Sequence, residues 1–90
     1  MNNTVLVVDD EKEIRDLIEI YLLNSGYNVI KAEDGKEALD ILKKENIHLM
    51  ILDIMMPKMD GIEVCRKVRE SLNIPILMLS AKSEDMDKIQ

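Results

Sequence analysis

Val5-Leu6-Val7-Val8-Asp9-Asp10 is a run of four apolar β-formers that ends on two carboxylates. A short run with no polar alternation reads as a strand buried on both faces, as in a parallel sheet. Two later stretches repeat the design. Leu49-Met50-Ile51-Leu52 runs into Asp53, and Ile76-Leu77-Met78-Leu79 runs into Ser80. If the three runs are parallel strands of one sheet, their carboxyl ends share one edge. Three carboxylates and a hydroxyl then gather in the crevice where open α/β sheets bind ligands.

The segments between these runs have helical period. Ile14, Leu17, Ile18, Tyr21 and Leu22 recur at helical spacing with charges between them, and Gly26 follows as a left-handed cap. Tyr27 to Ala32 reads as a second, more polar strand nearer an edge. Asp34 with Glu37 forms a capping-box pattern before a helix whose apolar stripe is Ala38, Ile41 and Leu42. Asp60 with Glu63 repeats the pattern before a third helix, with Ile62, Cys65, Val68 and Leu72 as inward candidates. Asn73-Ile74-Pro75 stops that helix. Residues 83–90 read as the start of another one. The order βαβαβαβ predicts an α/β fold: a doubly wound parallel sheet with helices on both faces.

Ninety residues bound the chain to one domain. A composition that is 47% hydrophobic excludes a disordered segment. Trp and Phe are absent, so Ile, Leu, Val and seven Met must fill the core. A net charge of -6 argues against nucleic-acid contact and against a polybasic membrane anchor. No apolar run approaches the ~18–20 residues of a membrane span, and no signal peptide opens the sequence, so the expected location is the cytoplasm. Cys65 is the sole cysteine, so no disulfide framework exists, and it reads as a small core residue. His48 begins the third strand, at the end opposite the acids, and reads as a surface residue.

The acids carry the chemistry. Asp10 stands three before Glu13, and the bland alternative makes it only an N-cap. One oxygen satisfies a cap, however, and here there is a pair. Asp53 ends a buried run and is followed by Ile54-Met55-Met56. A carboxylate there is costly unless paired or metal-bound. Clustered carboxylates repel, and either a shared proton or a divalent cation relieves this. Oxygen ligands without nearby His or Cys favour Mg²⁺ over zinc. A carboxylate so placed can attack phosphorus to form an aspartyl phosphate. Ser80 either donates to a phosphoryl oxygen or simply ends its strand. P-loop, nucleophile-elbow and dinucleotide-binding motifs are all absent.

At Val7-Val8-Asp9-Asp10-Glu11, Leu52-Asp53-Ile54-Met55-Met56-Pro57-Lys58-Met59-Asp60-Gly61 and Pro75-Ile76-Leu77-Met78-Leu79-Ser80-Ala81 the chain resembles the receiver domain of bacterial two-component response regulators. The resemblance covers all ninety residues, and the style is similar to the winged-helix transcription-factor subgroup. It implies a flavodoxin-like receiver fold with strand order 2-1-3-4. It implies Asp53 as phosphoacceptor, Asp10 as direct Mg²⁺ ligand and Asp9 as the acid that reaches the metal through water. The Met55 backbone carbonyl would complete the protein ligands. Ser80 matches the switch hydroxyl, and backbone amides near Met55 and Ala81 would contact the phosphate.

Receivers have five strands and five helices. The expectation is therefore a receiver domain over residues 1–90, incomplete at its C-terminus and without the fifth strand, its lysine and the last helix. The implied partner is a sensor histidine kinase. The implied function is Mg²⁺-dependent phosphoryl transfer to Asp53, which controls a transcriptional output domain, with no enzymatic turnover beyond self-phosphorylation and self-dephosphorylation. Self-association through exposed edges is also expected. The alternatives are a phosphorylation-silent protein-interaction module and a Mg²⁺-dependent hydrolase acting on other molecules.

Overall fold

Strand β1 (Thr4–Val8) occupies the middle of the sheet because it has no polar face to turn to water, with Val5 to Val8 all buried. A computed structural model describes residues 3–53, 61–71 and 73–79. Along the chain β1 is followed by α1 (Lys12–Asn24), β2 (Asn28–Ala32), α2 (Gly35–Lys44), β3 (Leu49–Asp53), α3 (Gly61–Ser71) and β4 (Ile76–Leu79). The four strands form one sheet in the order β2-β1-β3-β4, and every pairing is parallel. The doubly wound fold read from the sequence and the 2-1-3-4 order implied by the resemblance are the ones found. β2, the most polar strand, lies at an end of the sheet as expected.

Register aligns the carboxyl ends. Val8 stands between Ala32 of β2 and Leu52 of β3, and Asp53 faces Leu79 of β4. The strand order reverses between β1 and β3, which is where such sheets open a crevice. Strand alternation divides the core in two. Leu6, Val8, Met50 and Leu52 pack on one face with Ala32, Ala38 of α2 and Val64 and Val68 of α3. Val5, Val7 and Ile51 pack on the other with Ile18 and Leu22 of α1.

The helix ends follow local chemistry. α1 closes with Gly26 at φ +93°, where the Tyr27 N–H donates to the Leu22 carbonyl at 3.0 Å and the Gly26 N–H to Leu23 at 3.1 Å. These are the two bonds of a Schellman motif, and the left-handed residue within it favours glycine. At the start of α2, Asp34 accepts from the Glu37 N–H at 2.8 Å. The Glu37 carboxylate accepts in turn from the Glu33 N–H at 2.8 Å, one residue earlier than the capping box predicts.

Two helical stripes need correction. In α3 the inward residues are Val64 and Val68, with Cys65 partly buried beside them, whereas Ile62 is exposed. Ile62 lies about 200° around the helix from Val64, so both cannot face the sheet. In α1, Ile18 and Leu22 pack, but Leu17 and Tyr21 remain 55% and 68% exposed. Leu72, Asp60 and the helix start over residues 83–90 lie outside the described residues.

Candidate functional site

Asp53 is the last residue of β3 and is only 1% exposed. Its position follows from the strand: Met50, Ile51 and Leu52 are all buried, and the next residue in register inherits their depth. Asp9 extends β1 by one residue, for its N–H donates to the Ala32 carbonyl at 3.2 Å. It is 2% exposed. Asp10 follows on the exposed side of the turn. The three carboxylates bring ligand oxygens within 4.8 Å of one another. Sequence reasoning expected this convergence from strand ends alone.

The capping alternative for Asp10 does not hold. The N-cap of α1 is Glu11, with extended backbone at φ -101° and ψ 119° and no side-chain cap bond. Helix capping therefore does not account for the acid pair. One oxygen of Asp9, Oδ1, accepts from the Glu11 N–H at 2.9 Å, which fixes the rotamer of that carboxylate. Three oxygen-donor side chains, two of them buried, are the donor set that a small hard dication takes. Burial strengthens the repulsion that such a cation relieves. The residues present thus fit Mg²⁺.

Cations stand on one flank. Lys12, Arg15 and Lys31 line an open cleft with Asp16, Glu33 and Glu37. Lys31 donates to Asp16 at 3.0 Å and to Glu19 at 2.8 Å, and Lys12 donates to Asp16 at 2.7 Å. The hydrogen bonds from Lys12 and Lys31 hold the Asp16 carboxyl below its usual range, and the bonds to Glu19 and Asp16 push Lys31 up. Arg15 behaves differently. Its Nη1 donates to the backbone carbonyl of Asp9 at 2.7 Å. Sequence reasoning passed over Arg15. It is one of several charges along α1, and nothing in the pattern tells which of them turns back to the strand end.

The remaining site expectations divide. Ser80, Met55 and Ala81 lie outside the described residues, as do Pro57 and the loop around it. His48 is exposed at the far end of the sheet, where its Nδ1 accepts from the Thr4 N–H at 3.0 Å. Cys65 is free. Among the described residues no helix is long and apolar enough to cross a membrane.

Comparison with known proteins gives the same picture. The family model for the response regulator receiver domain matches residues 5–90. The alkaline phosphatase synthesis transcriptional regulatory protein PhoP of Bacillus subtilis is 52% identical over 90 residues, covering 99% of this chain and 38% of PhoP. The regulatory protein VanR of Enterococcus faecium is 47% identical over 89 residues, with the same coverage of 99% and 38%. The chain thus spans under two-fifths of the length of these relatives. Among solved structures, the response regulator TrrA from Thermotoga maritima, in complex with Mg(2+)-BeF, superposes with a TM-score of 0.84 at 39% identity, covering 97% of this chain and 76% of that one. A receiver protein from Pseudomonas putida superposes with a TM-score of 0.86 at 28% identity, covering 99% and 76%.

Proposed function

The chain belongs to the response regulator receiver domain family, and on that footing we propose that it is a phosphoacceptor module taking a phosphoryl group on Asp53. The observation that carries this reading is the meeting of Asp9, Asp10 and Asp53 within 4.8 Å at the carboxyl ends of β1 and β3. A carboxylate oxygen of Asp53 forms the new P–O bond. The P–N bond of a kinase phosphohistidine breaks, and the imidazole nitrogen leaves with the electron pair. Asp53 is buried at the end of its strand, so the phosphoryl group must reach it where the strand ends meet. Asp10 and Asp9 would hold Mg²⁺ together with Asp53, and the bound ion supplies positive charge to the phosphoryl oxygens. The complex of TrrA with Mg(2+)-BeF supports that choice of ion by analogy.

The roles of the Met55 carbonyl, the Ser80 hydroxyl and the amides near Met55 and Ala81 rest on the family resemblance. The donor is a sensor histidine kinase and the compartment the cytoplasm. The output is transcriptional and of the winged-helix subgroup, in keeping with what the name of PhoP says of that protein. Copies of the chain also pair along exposed edges. Support comes from β4, at one end of the described sheet, where Leu77 is 54% exposed.

Phosphorylation by a small phosphodonor in a full-length version of the protein tests the reading. Asp53→Asn should abolish labelling, because an amide is far less nucleophilic than a carboxylate. Asp9→Asn and Asp10→Asn should weaken it in a way that extra Mg²⁺ partly restores. Undiminished labelling of Asp53→Asn overturns the assignment. A wild type that takes no label leaves the phosphorylation-silent interaction module.

A further inference from the structure

Three hydrogen bonds close a ring around the turn that carries the acid pair. The Arg15 Nη1 donates to the Asp9 carbonyl at 2.7 Å. The Arg15 backbone N–H donates to the Glu11 carbonyl at 3.1 Å. The Glu11 N–H donates to Asp9 Oδ1 at 2.9 Å. The ring joins the end of β1 to the first turn of α1. It fixes both the Asp9 side chain and the peptide that links Asp9 to Asp10. Turning that peptide would break the guanidinium bond and swing Asp10 away from Asp53. A charge-assisted bond to a carbonyl, on a partly buried side chain, resists such turning better than a neutral one.

We propose that Arg15 is a positioning residue for the acidic cluster: its guanidinium locks the Asp9–Asp10 peptide and so sets the separation of the carboxylates that receive the cation. The inference rests on the reading of the cluster as a Mg²⁺ site. It runs against simple electrostatics, which makes it testable by sign. A positive side chain beside a cation site repels the cation, so removing its charge should tighten binding. Removing a clamp should loosen it. Lys12 separates the two effects. It lines the same cleft and carries the same charge, but its Nζ bonds Asp16 rather than the Asp9 turn.

The experiment uses Mg²⁺ alone as probe, followed by NMR on the whole chain. Two readouts are taken: the Mg²⁺ dissociation constant, and the shift and hydrogen-exchange protection of the Asp10 and Glu11 amides before metal is added. Arg15→Met should loosen Mg²⁺ by about tenfold, the usual scale for partners that orient metal ligands. It should also shift the Asp10 amide and lower Glu11 protection in the metal-free protein. Lys12→Met should leave both amides in place and bind Mg²⁺ no more weakly than wild type. Arg15→Lys keeps the charge but not the planar fork, and should give an intermediate loss of roughly threefold. Should Arg15→Met not fold, Arg15→Lys against Lys12→Met decides.

Mg²⁺ affinity at or above wild type in the Arg15 variants, or unchanged Asp10 and Glu11 amides, overturns the role of Arg15. If the wild type does not respond to Mg²⁺ at Asp9, Asp10 and Asp53, the cation site itself falls, and this role with it. The two failures are read from different proteins and are distinct.

Discussion

On one face of the sheet, Leu6, Val8, Met50 and Leu52 lie under α2 and α3; on the other, Val5, Val7 and Ile51 lie under α1. The first face has small and branched residues packed against each other from both layers, with Ala32, Ala38, Val64 and Val68 all buried. On the second, Ile18 and Leu22 reach the strands, whereas Leu17, Ile20 and Tyr21 of the same helix face outward. Leu77 of β4, which in register stands beside Ile51, is more than half exposed. Among the described residues, two helices cover the first face and one covers the second. The α2–α3 face is therefore expected to carry more of the folding stability than the α1 face, where Leu17, Ile20 and Tyr21 stay exposed beside the helix that follows the acid pair.

Adjacent residues of β3 give the sharpest test. Leu52 and Ile51 are similar in size and point to opposite faces. Leu52→Ala opens a closed cavity and should cost about 3–4 kcal/mol, whereas Ile51→Ala, on the thinly covered face, should cost roughly 2 kcal/mol. Urea unfolding of the two variants measures the gap. Equal costs, or a larger cost for Ile51→Ala, would erase the contrast between the faces.

A smaller effect is expected on the outer side of α1. Tyr21→Ser should change stability by no more than ~0.5 kcal/mol, since the ring is 68% exposed. Urea unfolding beside wild type would report the change. An unfolding midpoint moved as far as by Ile51→Ala would mean that the ring is packed after all.

The smallest effect belongs to the ion pairs that tie α1 to β2. Asp16 is held below its usual 3.8, first by the Lys12 hydrogen bond and then by that from Lys31. Lys31 is held above its usual 10.5, first by Glu19 and then by Asp16. A depressed acid stabilises above its unfolded pKa, and its contribution is lost as pH falls through the folded one. A raised base stabilises below its unfolded pKa, and its contribution is lost as pH rises through the folded one. The contribution of Asp16 is therefore fully present above 3.8 and fades as pH falls below it, and that of Lys31 is fully present below 10.5 and fades as pH rises above it. These groups are solvent-screened, so Lys31→Met should cost less than either β3 variant. Comparing its unfolding with wild type at pH 7 and near pH 3 checks the sign. The difference should shrink at the lower pH and in high salt.

Continuous apolar runs were enough to predict three parallel strands, because burial on both faces leaves a strand no polar positions, and helical periods between them predicted three helices. The turn chemistry of Gly26 and of Asp34 with Glu37 was equally legible, since each acts within a few residues of itself. The meeting of Asp9, Asp10 and Asp53 was legible too, for parallel strands bring like ends together whatever the details of packing. Tertiary structure alone decided which apolar residues the helices bury. Ile62 and Val64 are both hydrophobic, and only the docking of α3 on the core cluster that holds Val68 as well selects Val64. Long range also governed Arg15, which reaches back six residues to a carbonyl at the end of β1. Sequence period says where a side chain points along its own helix. The partner it meets depends on where the sheet places the neighbouring backbone, and that is set by contacts far apart in the chain.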